Sequence, residues 1–377
     1  MPGFDSDERQ LLDQSLQDYF TDQYDFEAFK RHMRAEDGPG FNKGAWSQYA
    51  EQGWLGVALP EAAGGIGGGM TELGIVLAAA GRHLALEPFI ATLATGAIAI
   101  SKAGNSEQQN LLAEVVAGKK MLAFCHAEPE AGYARDHVTT VATRDGDSYI
   151  LNGAKSFSLH AHAADALIVS GRLGSPNGPV QLFLVPSDSP GLALNVAPGL
   201  DGRKGAAVLL DGARINLNTR LGDGDEDCLP LIADIIDLGV LGSCAEAVGA
   251  MAAVTDISVD YLKTREQFGQ PLSKFQVLQH RLVDMSVSTE EARASVHAAL
   301  QAVDDGRADA QRAIWHAKVQ TARSARFVGG QGIQLHGGMG MTDELIVGHY
   351  YKRLAQLEAM FGDAEWYLAQ LAAAKAA

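Results

Sequence analysis

The segment LIADIIDLGVLGSCAEAVGAMAAVTDISVDYLKTREQF, residues 231–268, reads as one helix of more than thirty residues. A helix that long settles much of the fold, because its apolar positions must be covered by other helices of similar length. The chain supplies them downstream. SKFQVLQHRLVDMSVSTEEARASVHAALQAV is a second helix, with Ser273 placed to cap its N-terminus. DAQRAIWHAKVQTARSARFVGGQGIQL is a third, and residues near 344–375 give a fourth. Short joints between long helices make neighbours antiparallel, so the C-terminal part is expected to be a four-helix bundle. Its alanine content permits close packing, and apolar faces left over on such helices meet another subunit.

The rest of the chain has a different character. With 377 residues it is too long for one compact core of ordinary size. Residues 6–118 read as helical: DSDERQLLDQSLQDYF opens on Asp and Ser and sets Leu11, Leu12, Leu16 and Phe20 at near-helical spacing. MTELGIVLAAAGRHLA and EPFIATLATGAIAISKAG follow, and the glycines of PEAAGGIGGGM form a tight loop before them. From 119 to 226 the pattern turns to strands. HVTTVATRDGDSYILNGAKSFSL alternates about an Asp-Gly pair, a hairpin signal, and ADALIVSGRL, VQLFLVPS and AAVLLDGARI are further strands. The expected fold is α+β: an N-terminal helical domain over 1–118, a small central β-domain over 119–226 and the bundle over 227–377.

Charge and cysteine usage narrow the setting. A formal net charge of −16 makes the chain a poor binder of nucleic acid or anionic membrane. No apolar run reaches the roughly 18 residues of a membrane span. The start, MPGFDSDERQLL, is acidic and polar and does not read as a secretory signal. Cys125, Cys228 and Cys244 are scattered, so neither a disulfide framework nor a metal site is expected, and a cytoplasmic location fits.

Two segments could carry chemistry at the bundle's joints. QGIQLHGGMGMTDE, 331–344, packs glycines between helix-like runs; YLKTREQFGQPLSKFQ, 261–276, is expected beside it. Arg265 offers a forked donor for phosphate, Phe268 and Phe275 offer flat apolar faces, and Gln276 an amide. Gln334, Gly337 and Gly338 complete a pocket suited to a purine and its phosphates. Each piece also has a plainer reading: a Gly-Gly after a helix is commonly its C-cap, and an aromatic at a helix end a plug. Lys263 and Arg281 read as solvated helix charges, and Asp343 and Glu344 as caps of the following helix.

TREQFGQPLSKFQVLQHRLVDM followed by QLHGGMGMTDE resembles the acyl-CoA dehydrogenases, as do FCHAEPEAGY, TRDGDSYILNGAKSF and GWLGVALPEAAGGIGGG. The resemblance spans nearly the whole chain, and CAEAVGAM and GMTDELIVGHYYKRL are similar to small subunits of the pimeloyl-CoA dehydrogenase type. It implies FAD held across a subunit interface, an acyl-CoA substrate oxidised at Cα–Cβ, and an electron-transfer flavoprotein as partner. A carboxylate must take the Cα proton on one face while hydride leaves Cβ on the other.

Carried over residue by residue, the resemblance divides the chain. The adenine-side set is present: Arg265, Phe268, Phe275, Gln276, Gln334, Gly337 and Gly338. On the ring side only the aromatic persists, as Phe157. Ala127 stands where a ring-bonding Thr is expected, Tyr133 where a small Ser or Thr is expected, and Leu159 where a Thr bonds near flavin N5; leucine cannot donate that bond. The two usual positions for the base hold Phe361 and, near the start of the first bundle helix, Gly239 and Val240. Glu246 lies seven residues past Gly239, on the same face about 10 Å further along. It is open to two readings, a relocated base or a carboxylate paired with a buried Arg or His. His126 and His160 read as hydrogen-bonded pocket residues before catalytic ones.

This pattern leads to the expectation of a small subunit in a heterotetrameric α2β2 enzyme, holding the adenosine end of an FAD whose ring lies on a second acyl-CoA dehydrogenase subunit. The alternatives are a self-sufficient homo-oligomeric dehydrogenase using Glu246, and a non-redox scaffold. Bulky or dicarboxylic acyl chains, such as steroid side chains, fit the heteromeric type.

Overall fold

The computed structural model describes residues 4–36, 38–222, 224 and 226–376; the first three residues of the acidic N-terminal segment lie outside it. The chain forms two compact units, one made of His32–Gly69 and Leu86–Gly239, the other of Phe4–Arg31, Met70–Ala85 and the chain from Val240 onward.

The first unit is built on a seven-stranded sheet: β1 (Leu122–Cys125), β2 (Val141–Asp145), β3 (Ser148–Leu159), β4 (Ala166–Leu173), β5 (Val180–Pro186), β6 (Leu192–Pro198) and β7 (Lys204–Asn216), in the order β1-β4-β2-β3-β7-β6 with β5 on β4. The Asp-Gly hairpin is present, Asp145 pairing with Ser148 across Gly146, whose φ is 59°. Leu151, Leu167, Val169, Phe183, Val208 and Ala213 form the apolar interior. Strands β1 and β6 carry too weak an alternation to be read from sequence, and β1 is a parallel edge. That edge is covered by a nine-residue π-helix, Phe89–Ala97, every residue of which is buried. The Thr92 hydroxyl donates to the Leu122 carbonyl at 3.1 Å and lies 3.3 Å from the Leu122 amide, closing the edge as a strand would. Helices α3 (Lys43–Glu51), α5 (Ile98–Ala103) and α6 (Ser106–Val116) belong to the same unit.

The second unit is helical. Helix α1 (Ser6–Gln23) begins at a capping box of Asp5 and Glu8, buries Leu16 and Phe20, packs on α4 (Met70–Arg82), and is followed in the chain by α2 (Phe26–Met33). Leu11, expected on its apolar face, is 70% exposed. The long helix is α7, Leu229–Thr264, 36 residues. Then come α8 (Gln276–Asp304), α9 (Ala310–His336), α10 (Ile346–Ala359) and α11 (Ala364–Ala376). The expected fourth bundle helix is thus divided, because Phe361 and Gly362 take φ of 61° and 120° and turn the chain. Two expected caps need correction. Phe275, not Ser273, stands at the N-cap of α8, Ser273 being taken into the 3-10 turn Leu272–Lys274. Neither Asp343 nor Glu344 caps α10; Leu345 holds that place, and Asp343 pairs with Lys352 at 3.1 Å. A carboxylate does cap α4 from elsewhere: Asp304 accepts from the Met70 and Thr71 amides and the Thr71 hydroxyl at 2.5–2.9 Å. No helix among the described residues is long and apolar enough to cross a membrane, and no cluster of metal-ligating side chains occurs among them.

Candidate functional site

The two glycine- and aromatic-bearing joints are neighbours in space. The His336 ring, at the end of α9, lies 4.3 Å from the Tyr261 ring of α7, and its Nδ1 is 2.8 Å from the Gly332 carbonyl. Arg281 of α8 donates to the Gln331 side chain of α9 at 2.9 Å, so it ties two helices together and is not the solvated charge expected. At Gly332 a Cβ would come within 2.6 Å of Val254, so this glycine lets α9 lie close on α7.

Between α7 and α8 the chain makes a short hairpin, β8 (Glu266–Gln267) with β9 (Gln270–Pro271). Its two turn residues, Phe268 and Gly269, have φ of 55° and 79°. Positive φ at both positions is the signature of a tight I′-type turn, and it is costly for phenylalanine. Phe268 is nevertheless 89% exposed, its ring edge-on to Phe275 at 6.0 Å. Arg265, Gln276 and Gln334 are exposed, and their side chains make no hydrogen bond or ion pair among the described residues. Gly337 is the C-cap of α9, bonded to the Gln334 carbonyl, with φ 60° and ψ −143°, a region essentially closed to other residues. A Cβ at Gly337 or Gly338 would meet nothing within 4 Å. The joint therefore presents a guanidinium, two amides and an unobstructed backbone, beside aromatic rings: donors for phosphate and a flat apolar contact for a base.

The β-domain face is different. Phe157 is 40% exposed, and a Cβ on Gly205 would stand 2.5 Å from its ring. Ala127 and Tyr133 are exposed and Leu159 half-buried, so Ala127 and Leu159 bring no hydroxyl where a ring-bonding one was sought. The polar groups lie beneath it. The buried Glu128 carboxylate accepts from Lys155 Nζ at 2.6 Å and from the amides and hydroxyls of Thr139 and Thr140 at 2.5–3.1 Å. Burial alone would raise its pKa, but the ammonium and these donors outweigh it and hold the carboxyl well below its usual range. Lys155 also donates to Ser170, whose hydroxyl is 2.9 Å from His126 Nδ1, while His126 Nε2 is 2.9 Å from the Arg135 carbonyl. Burial, then the Lys155 charge, lowers His126 to about 4. His160, at φ 59° with Nε2 2.8 Å from the Leu86 carbonyl, is lowered to about 3 by burial and by Arg203. Both are neutral hydrogen-bonding residues at pH 7.

Glu246 sits where α7 crosses α4. A Cβ at Gly81 would stand 1.9 Å from the Glu246 carbonyl oxygen, and one at Gly249 1.8 Å from that of Ala78, so the helices meet backbone to backbone. The Glu246 carboxylate is bound by Arg353 Nη1 at 2.7 Å, and the same nitrogen donates to the Ala85 carbonyl at 3.0 Å. Arg353, 107 residues away, is the partner that no local pattern discloses. Gly239 and Val240 are buried in α7, and Phe361 is half-buried between α10 and α11.

The chain belongs to the acyl-CoA dehydrogenase family: residues 6–119, 123–210 and 230–376 match the family models of its N-terminal, middle and C-terminal domains. Members of this family are flavoproteins that bind FAD. Among particular relatives, acyl-CoA dehydrogenase FadE12 of Mycobacterium tuberculosis is 30% identical over 90% of this chain and 88% of its own. The caffeyl-CoA reductase-Etf complex subunit CarC of Acetobacterium woodii is 27% identical over 84% and 85%. A solved variant of the Tcur3481-Tcur3483 steroid ACAD superposes with a TM-score of 0.88 at 30% identity, covering 98% of each chain.

Proposed function

We propose that this chain is the adenine-side, small subunit of a heteromeric FAD-dependent acyl-CoA dehydrogenase, resembling the pimeloyl-CoA dehydrogenase small-subunit type. The observation that carries the reading is the contrast between the joint and the β-domain face. Among the described residues the side chains of Arg265, Gln276 and Gln334 make no hydrogen bond or ion pair, and a Cβ at Gly337 or Gly338 would meet nothing within 4 Å, which fits the adenosine diphosphate end of FAD. Phe268 and Phe275 supply the apolar contact for the adenine. Ala127 and Leu159 do not fit the ring end, since neither side chain can hydrogen-bond.

When bound, the flavin supplies the hydride acceptor for oxidation of an acyl-CoA to the enoyl-CoA. In this chain Arg265 holds phosphate charge, and Gly338 lets the backbone approach it. The proton-abstracting carboxylate and the ring contacts come from a second acyl-CoA dehydrogenase subunit, and an electron-transfer flavoprotein takes up the electrons. The two-part name of the steroid ACAD relative supports a paired assembly, and with it a bulky acyl chain. Glu246 is read as structural, because Arg353 holds its carboxylate within a crossing that leaves no space between the helices.

Co-expression with a second dehydrogenase-like chain, followed by a flavin spectrum and a CoA-ester screen, tests the reading. A yellow complex that oxidises acyl-CoAs is expected, with turnover retained in Glu246→Gln. Loss of turnover with flavin retained in Glu246→Gln would move the base to this chain, and a colourless complex would leave only a scaffold.

A further inference from the structure

A small cavity lies within the bundle where α7, α9 and α10 meet. It is lined by Ser243, Cys244 and Ala247 of α7, Lys318 and Thr321 of α9, and Leu357 and Glu358 of α10. It leaves ≈ 10 Å³ for the centre of a water-sized molecule, about what one water needs. Two of its lining groups have hydrogen-bonding capacity left over. Lys318 is 2% exposed, and its Nζ donates to the Leu357 carbonyl at 2.8 Å and the Met360 carbonyl at 3.0 Å. An ammonium has three protons, so one remains. Thr321 is 3% exposed, and its Oγ1 has no hydrogen-bond partner. Burial raises the Cys244 thiol pKa, against the Lys318 charge and a Thr321 hydroxyl contact that falls short of full hydrogen-bond geometry. Other groups near the Lys318 charge are Glu358 and Asp363, and the described ion pairs give it no carboxylate partner: Glu358 is taken by Arg326.

A buried ammonium bonded only to two carbonyls is incompletely solvated, and a buried hydroxyl with no partner is costly in its own right. Both border one space that fits a single small polar molecule. We propose that this cavity is a binding site for one structural water, which accepts from the third Lys318 proton and bonds to Thr321 Oγ1, with the Cys244 sulfur as a weaker third contact. The acidic side chain of Glu358 in the lining disfavours a halide, and the ammonium disfavours a cation.

The site has a consequence for the turn it adjoins. Lys318 clamps the Leu357 carbonyl near the end of α10 and that of Met360, immediately before Phe361, whose φ is 61° and whose carbonyl accepts from the Tyr367 hydroxyl at 2.8 Å. The water holds the clamp in place, and the clamp fixes the break that divides α10 from α11. The turn is therefore set from inside the bundle, without a ligand.

A crystal structure of the full chain that orders solvent is the first test. A peak about 2.6–3.2 Å from both Lys318 Nζ and Thr321 Oγ1 is expected. An empty cavity overturns the proposal, and so does an anomalous peak there after bromide exchange, which would make the occupant a halide. Thr321→Val gives the second test, since it replaces the hydroxyl by a methyl of the same shape. With water bound, Tm falls by roughly 1–3 °C and the peak weakens or disappears, while Thr321→Ser retains both. If Tm is unchanged or rises in Thr321→Val, the hydroxyl has no partner and the site is dry.

Discussion

Arg265 and Arg353 carry the same guanidinium in opposite settings. Arg353 is 0% exposed and binds Glu246 and the Ala85 carbonyl where two helices touch through glycines. Arg265 lies at the end of α7 beside a strained hairpin, exposed, with its donors uncommitted. A buried charge is tolerated only when paired, so the first arginine reports on folding. An exposed guanidinium costs the fold little to keep, so the second is the arginine we propose for binding. The β-domain repeats the first case: Glu128, Lys155, Ser170 and His126 satisfy one another beneath a face that offers Phe157 but no donor from Ala127 or Leu159.

The contrast can be broken at either arginine. Arg353→Met removes the guanidinium that binds a buried carboxylate and is expected to cost about 3–5 kcal/mol in denaturant unfolding; a loss under 1 kcal/mol would show that the crossing does not depend on the pair. Acid should act on the β-domain in the same sense. The folded-state pKa of His126 and His160 lies below the ordinary 6.5, at about 4 and about 3, so both contribute stability that is complete above pH 6.5. That contribution is lost as pH falls from 6.5 through those values, and a Tm–pH curve should descend there. The depressed Glu128 carboxyl adds a further loss at pH values below 4.5. A flat Tm between pH 7 and 4 would contradict the buried network.

The glycines divide in the same way. Gly332→Ala drives a methyl to within 2.6 Å of Val254 and should cost about 1–3 kcal/mol of stability. Gly338→Ala meets no protein atom, so its stability should stay within about 0.5 kcal/mol while affinity for ADP falls. Arg265→Ala should likewise leave unfolding unchanged and weaken ADP binding by about tenfold or more, measured calorimetrically. The smallest effect belongs to Leu11→Gln, within about 0.5 kcal/mol, because that side chain faces solvent.

Long-range partners separate what was legible in the sequence from what was not. Periodicity announced α1, α7, α8 and α9, and the Asp-Gly pair announced the β2–β3 hairpin. The bundle reading set the two joints side by side, and the Tyr261–His336 contact is its physical form. Backbone departures were not visible. The π-helix lies in an all-apolar run that carries no period, and the break at Phe361 uses a positive φ that phenylalanine does not advertise. Ser273 and Asp343 looked like caps because their residue types suit caps, but a 3-10 turn and Leu345 occupy those places. The reading of Glu246 hung on a partner 107 residues away. Leu11 fitted the helical period but is 70% exposed.

The most direct measurement is the flavin content and activity of this chain purified without a partner. Substoichiometric FAD and no oxidation of acyl-CoA esters are expected, with ADP still bound through the joint. Stoichiometric FAD together with acyl-CoA oxidation by the chain alone would overturn the proposed division between two subunits.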